Sequence, residues 1–363
     1  MKIFKVGVVG LGFIGLAHID ALRRVESVQI IALTDVVDVK EKAEKLNIPN
    51  AFSDYKEMID SLGLDAIHIC TPNNTHFEIA MYALEKGLHI ICEKPFTYTV
   101  EEAGKLVQLA KEKQVSHAIN FHNRFYPEPN HLKNIIKDGE LGEIFSVHGG
   151  YVQDWLLYDT DFNWRLLGKS LVMLDIGSHW LDLVEFVTGL KISEVFAEFT
   201  KVYPIRKKHL ASGESEPIET DIEEIAFVLI RFANGAKGSA VFSTMLAGKK
   251  NKTTVTISGK LRSAEWDSEA INDLCLGSRN AGNVILTKDP NLLHTDSKQL
   301  AAYPGGHVEG FPDAFRQHFK QFYSSIDNPQ MKTDFATFED GLRDMIICEK
   351  IIESAASGRW IKV

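Results

Sequence analysis

Lys5-Val-Gly-Val-Val-Gly10-Leu-Gly12-Phe13-Ile14-Gly15 is the stretch whose reading decides the fold. The β-branched run Val6 to Val9 reads as a buried parallel strand that breaks at Gly10, and Phe13 to Val25 reads as a helix. Gly10-x-Gly12-x-x-Gly15 set in a strand, turn and helix is the spacing that admits a dinucleotide. Gly10 allows the tight turn, Gly12 lets backbone approach a pyrophosphate, and Gly15 lets the helix pack close to the strand. The helix start at Phe13 and Ile14 then offers N–H groups and a positive dipole end to phosphates.

A chain of 363 residues is too long for one ordinary core, so two domains are expected. Hydrophobic residues make up 45% and charged residues 25%, the balance of a globular protein. A net charge of −9 leaves no basic excess to neutralise phosphates, which argues against nucleic acid or an anionic membrane as partner. Cys70, Cys92, Cys275 and Cys348 form no C-x-x-C pair and read as reduced structural residues. With no apolar run of membrane-spanning length and no signal-peptide pattern, a cytoplasmic protein is expected.

Up to about Asn120, short apolar strands alternate with amphipathic segments. Strands are expected at 28–33, 65–70, 88–92 and 115–119, with helices at 40–46, 54–61, 75–86 and 100–114. That alternation predicts right-handed crossovers and a doubly wound parallel sheet. After Phe121-His-Asn-Arg-Phe-Tyr-Pro127 the rhythm changes. Helices at 129–138 and 171–188 accompany strands at 143–153, 194–202, 222–232, 238–245 and 253–258, with a hairpin signal at Asn234-Gly235. His209 to Glu219 reads as a polar loop, and 313–326 and 338–357 read as closing helices. The expected division is 1–122 for the dinucleotide-binding domain and 123–363 for an α/β domain with an open, largely antiparallel sheet.

Four constellations can carry chemistry. Asp35 ends the second strand, 20 residues after Gly15, where a carboxylate accepts both ribose hydroxyls and repels a 2′-phosphate, so NAD is favoured over NADP. The plainer alternative is that Asp35 caps the following helix. Thr71-Pro72-Asn73-Asn74-Thr-His76 follows a strand end and would face the same crevice, although its asparagines also suit a turn. Glu93-Lys94-Pro95 ends the next strand. A Glu beside a Lys can tune the amine for proton transfer, and Pro95 can aim Lys94, with an ordinary surface ion pair as the alternative. Asp175, His179 and Asp182 fall at i, i+4 and i+7 of one expected helix and share a face, with Gly177 leaving room for a ligand. A His flanked by carboxylates serves as acid or base, while a structural polar face is the competing reading. A metal is not assigned, because the helix alone shows no third strong ligand.

Together these residues resemble the glucose–fructose oxidoreductase and inositol dehydrogenase family (Gfo/Idh/MocA). The matching motifs are Gly10-x-Gly12-x-x-Gly15, Asp35, Thr71-Pro-Asn-x-x-His76, Glu93-Lys94-Pro95, Asn123-Arg124-Phe125, Trp164-Arg165 and Asp175-x-Gly177-x-His179-x-x-Asp182. The resemblance spans nearly the whole chain. It implies a Rossmann domain followed by an α/β domain whose open sheet often joins dimers or tetramers, and oxidation or reduction of a sugar or cyclitol carbinol. It also implies a catalytic group of Lys94, Asp175 and His179. Asn123, Trp164 and Arg165 lie near nicotinamide or substrate, and Arg124 and Asp182 are further substrate candidates. Pro304-Gly-Gly-His307-Val-Glu-Gly310 resembles a loop that lines the substrate pocket of some members. The chain departs from many members in carrying Gly168-Lys-Ser-Leu171 where they have a run of glycines. Two rival activities suit the same residues: an NAD-using glycoside hydrolase and a non-catalytic NAD sensor.

Overall fold

The computed structural model describes residues 2–210 and 213–363. In chain order the first part runs β1 (Phe4–Val9), α1 (Phe13–Arg23), β2 (Val28–Thr34), α2 (Val39–Lys45), β3 (Asn50–Phe52), α3 (Tyr55–Ser61), β4 (Ala66–Ile69), α4 (His76–Glu85), β5 (His89–Cys92), α5 (Val100–Lys113) and β6 (His117–Ile119). These six strands form one parallel sheet in the order β3-β2-β1-β4-β5-β6, so the strand order reverses beside β1, and ligands bind at such a switch point. Local chemistry sets the helix ends. The Thr99 hydroxyl accepts the Glu102 N–H at 3.2 Å while the Glu102 carboxylate accepts the Thr99 N–H at 3.1 Å, a reciprocal cap that starts α5.

The chain continues through α6 (Pro127–Lys137), β7 (Ile144–Val152), α7 (Ser178–Thr188), β8 (Ile192–Thr200), β9 (Ile205–His209), β10 (Ser215–Glu219), β11 (Ile225–Phe232), β12 (Lys237–Ser243), β13 (Lys252–Gly259), β14 (Ser263–Asp267), β15 (Asp273–Gly277) and β16 (Val284–Thr287). It ends with α8 (Phe311–Asp327), α9 (Phe338–Ser357) and β17 (Ile361–Lys362). The large sheet has nine strands in the order β16-β15-β14-β13-β7-β12-β11-β8-β17. Only β7 and β12 run parallel within it, so the expectation of an open, largely antiparallel sheet holds. Asn234 and Gly235 make the β11–β12 turn as predicted, with Gly235 at φ +93°.

Three expectations are corrected. The chain forms two compact units, 1–126 with 309–345 and 127–308 with 346–363, in place of a single cut at 122/123. The return segment belongs to the first unit because α8 lays aromatic residues against α1: Phe315 and Phe319 sit 5.4 and 4.8 Å from the His18 ring. The stretch 209–219 is mostly a two-stranded ribbon, β9 with β10, and its residues 211 and 212 lie outside the described residues. Charged side chains on both faces hide its alternation, and Lys208 pairs with Glu216 at 3.2 Å across it. Finally, the expected helix 171–188 opens into a wide, five-residue turn over Met173–Gly177 before α7 begins. Strands β3, β9, β10 and β14 to β17 were not foreseen; most are short, and the predominantly polar ones carry no apolar period.

Candidate active site

In the first unit the glycine turn takes the shape its spacing requires. Gly10 lies at φ +91°, and a Cβ there would fall 2.8 Å from the Cys70 backbone. A Cβ on Gly15 would fall 2.0 Å from the Gly10 carbonyl oxygen, so Gly15 lets α1 pack on the turn. Around Gly12 a Cβ would meet no atom within 4 Å. Nothing in the protein demands glycine there, and the demand that remains is room for a close ligand. The first bond inside α1, Leu16 N–H to Gly12 C=O at 3.2 Å, leaves the N–H groups of Phe13, Ile14 and Gly15 ahead of it, and such helix starts suit a phosphate group. These residues fit NAD.

Asp35 stands where β2 ends. Its Oδ2 accepts the Leu11 N–H at 2.8 Å, which ties it to the glycine turn, and meets Lys42 Nζ at 3.0 Å. Burial pushes this carboxyl up, and the Lys42 and Leu11 contacts more than offset it, so the group is held below its ordinary value. Capping alone does not account for Asp35, since α2 begins at Val39. Sequence reasoning missed Lys42, seven residues on, because Asp35 lies in the loop before α2 and no helical spacing links the two.

The loop after β4 turns through Asn73–Thr75, with Pro72 and Asn74 exposed and Thr75 Oγ1 2.7 Å from both Thr71 Oγ1 and the Pro72 carbonyl. His76 is buried. Its Nδ1 lies 3.0 Å from the Pro95 carbonyl and its Nε2 2.9 Å from the Thr71 carbonyl. His76 therefore joins the loops after β4 and β5.

Glu93 is likewise held by contacts within the protein. It is buried, and its Oε1 receives His18 Nε2 at 2.9 Å and Asn120 Nδ2 at 2.5 Å, while Oε2 receives the Lys94 N–H at 3.2 Å. Burial alone would raise its carboxyl; the His18 and Asn120 contacts and the Lys94 charge bring it down to about 2. Lys94 follows at the carboxyl end of β5, and the Lys94–Pro95 bond is cis. Asn123 and Arg124 are buried; Arg124 Nη1 lies 3.6 Å from Asp340 Oδ2 and 3.4 Å from the Asp334 carbonyl, a structural setting for a residue expected at the substrate.

In the second unit, Trp164–Leu167 forms one helical turn that Asn163 caps by accepting the Arg165 N–H at 3.1 Å. The Trp164 side chain lies outside the described residues. Arg165 Nε reaches Asp175 Oδ1 at 3.4 Å, so two of the predicted site residues meet. Asp175 sits in the wide turn, where π-type geometry often marks functional positions. A Cβ on Gly177 would meet the end of the Met173 side chain at 2.7 Å and the Val172 carbonyl at 3.1 Å. His179 and Asp182 are buried on α7, and the His179 ring lies 6.1 Å from that of Tyr151. Tyr151 had no signal in the sequence, because only strand pairing brings β7 beside α7.

His307 is exposed on its loop, which buried Lys288 straps by donating to the carbonyls of Tyr303 at 3.2 Å and His307 at 2.8 Å. A Cβ on Gly305 would fall 2.7 Å from Asp289 Oδ2, which accounts for one glycine of the loop.

Residues 4–121 match an oxidoreductase family described as an NAD-binding Rossmann fold, GFO/IDH/MocA, and residues 130–265 match the GFO/IDH/MocA C-terminal domain. Levoglucosan dehydrogenase of Pseudarthrobacter phenanthrenivorans is 28% identical over 100% of this chain and 99% of its own length. Myo-inositol 2-dehydrogenase of Thermotoga maritima is 26% identical over 64% of this chain and 66% of its own length. A solved structure of levoglucosan dehydrogenase in complex with NADH and L-sorbose, 27% identical, superposes with a TM-score of 0.92 over 100% of this chain and 99% of that one.

Proposed function

Because the chain belongs to the Gfo/Idh/MocA oxidoreductase family, we propose that it transfers hydride between NAD and a carbinol carbon of a monosaccharide, polyol or cyclitol. The observation that carries this reading is Lys94 at the carboxyl end of β5, in the same sheet as the glycine turn after β1 and Asp35 after β2. Ligands of such sheets bind at those strand ends. The relatives named above act, by their names, on levoglucosan and myo-inositol, both neutral polyhydroxylated rings, which supports a substrate of that class.

When bound, the nicotinamide supplies the hydride acceptor. His179 takes the proton from the substrate hydroxyl oxygen on a ring nitrogen. The Lys94 ammonium holds the same oxygen and stabilises the negative charge that develops there. Asp175, held by Arg165, orients the imidazole. The Asp35 carboxylate selects NAD over NADP by repelling a 2′-phosphate.

A panel of sugars and cyclitols, assayed with NAD and NADP in parallel, tests the reading. One NADH formed per carbonyl produced supports it. Glycoside cleavage without net NADH would replace it with the hydrolase, and NAD-dependent partner binding without turnover would replace it with the sensor.

Phe227, Leu229 and Val241, between 38% and 51% exposed, share one face of the large sheet and support a homo-oligomer built on it, checked by light scattering against Leu229→Glu. Four free cysteines suit the reducing cytoplasm, and among the described residues no helix is long and apolar enough to cross a membrane.

A further inference from the structure

Next to the strand end that carries Lys94 runs a file of six hydrogen-bonded side chains, each no more than 5% exposed. Tyr323 Oη lies 2.9 Å from His68 Nε2, and His68 Nδ1 lies 2.8 Å from His18 Nδ1. His18 Nε2 then reaches Glu93 Oε1 at 2.9 Å. From the other side Asn120 Nδ2 reaches the same oxygen at 2.5 Å, and Asn120 Oδ1 lies 2.9 Å from His318 Nδ1. The members come from α1, β4, the ends of β5 and β6, and α8, all within the first unit.

One set of proton positions gives every contact in the file one donor and one acceptor, with His318 Nε2 left buried and unpartnered among the described residues. A carboxylate only accepts, so His18 donates from Nε2 and Asn120 from its amide. His18 Nδ1 then accepts the His68 Nδ1 proton, His68 Nε2 accepts the Tyr323 hydroxyl proton, and Asn120 Oδ1 accepts the His318 Nδ1 proton. Burial holds His68 and His318 below the ordinary imidazole range, so each carries the single ring proton this order needs. The reverse order would leave the Tyr323 hydroxyl proton without an acceptor among the described residues. Every donor in the file therefore points toward Glu93.

The other Glu93 oxygen accepts the main-chain N–H of Lys94 at 3.2 Å. Donors from α1 and β6 thus fix a carboxylate that in turn fixes the backbone at Lys94. The file is not a route for protons, because it ends on Tyr323, whose buried hydroxyl is pushed well above its ordinary range. Burying six polar side chains costs more than an apolar core of the same volume, so packing alone does not account for the file.

We propose that His18 and Asn120 are positioning residues for the reaction, acting through Glu93 to set the backbone at Lys94 and so the reach of its ammonium. This inference rests on the catalytic assignment of Lys94. His18→Gln and His18→Asn test it, because a glutamine amide can take the place of Nε2 and donate to Glu93, whereas asparagine reaches only the place of Nδ1. Folded fraction, NADH affinity by fluorescence, and kcat and KM with an oxidisable sugar or cyclitol are measured for both.

The expected result is NADH affinity within about twofold of wild type, kcat lowered about tenfold or more in His18→Asn, and kcat within about threefold in His18→Gln. In a Lys94→Ala background His18→Asn should add no further loss, since both changes act on one group. Wild-type kcat in folded His18→Asn, or losses that add to those of Lys94→Ala, would overturn the inference. Near-normal turnover in Lys94→Ala would instead overturn the catalytic reading beneath it. Should neither His18 variant fold, Asn120→Ser removes the second donor and is judged by the same criteria.

Discussion

Arg165 Nε lies 3.4 Å from Asp175 Oδ1, which joins a one-turn helix to the wide turn that precedes His179. Asp175 is mostly shielded while Arg165 is partly exposed, so the guanidinium meets the carboxylate from the solvent side. Arg165→Met keeps the aliphatic bulk and removes the partner. In the proposed mechanism this lowers kcat by roughly tenfold to a hundredfold with little change in melting temperature, and Arg165→Lys recovers only part of it. Steady-state kinetics beside a thermal melt separates this from general destabilisation.

Replacing Asp35 should loosen cofactor choice. Asp35→Ser removes the charge that opposes a 2′-phosphate but also the acceptor for the Leu11 N–H. The preference for NAD over NADP, read as the ratio of kcat/KM values, should shrink by at least about tenfold. An unchanged ratio would remove Asp35 from that role and leave Lys42, its partner at 3.0 Å, as the residue to examine.

Much of this arrangement was legible in the chain itself, and the exceptions share a cause. The glycine turn, the parallel sheet and the hairpin at Asn234-Gly235 follow from local chemistry, which sequence carries directly. For His76, Glu93 and Arg124 the sequence pointed to ligand contact and gave no sign of their partners within the protein. Their side chains are buried and held by the Pro95 and Thr71 carbonyls, by His18, and by Asp340 respectively, contacts that exist only after distant strands and helices pack. A histidine inside the apolar strand Ala66-Ile-His68-Ile and another three residues past Gly15 were the available hints of the buried file. The wide turn at Met173–Gly177 had no local hint, because one extra residue in a helical turn leaves the hydrophobic pattern almost unchanged.

The ion pair of Arg206 and Glu224 supplies a stability test in the second unit. Nη2 lies 2.8 Å from Oε1, both side chains are fully buried, and the guanidinium also donates to the carbonyls of Leu156, Tyr158 and Asp161. Arg206→Met strands the Glu224 carboxylate and three carbonyls, and should cost about 3–5 kcal/mol. Arg206→Met with Glu224→Gln should recover part of that. Chemical denaturation of both variants measures the difference, and equal losses would show that the carboxylate is not the source of the penalty.

Acid stability follows from His318. Burial first, together with nearby positive charge, lowers its pKa to about 3 from 6.5. The unfolded chain therefore binds this proton first as pH falls. The contribution of neutral His318 is whole above pH 6.5 and declines below it, by up to about 1.4 kcal/mol per pH unit, until about pH 3. His318→Asn keeps a donor for Asn120 Oδ1 and does not titrate. Its stability should fall less steeply between pH 6.5 and 4, by about one proton in the slope of unfolding free energy against pH. A slope equal to that of wild type would contradict the buried neutral state.

Turnover of Lys94→Ala, measured beside its NADH affinity, tests whether Lys94 holds the oxygen from whose carbon hydride leaves. NADH binding should stay close to wild type, and kcat should fall by about a hundredfold or more with a sugar or cyclitol that the wild type oxidises. Turnover near wild type in the folded variant would contradict it.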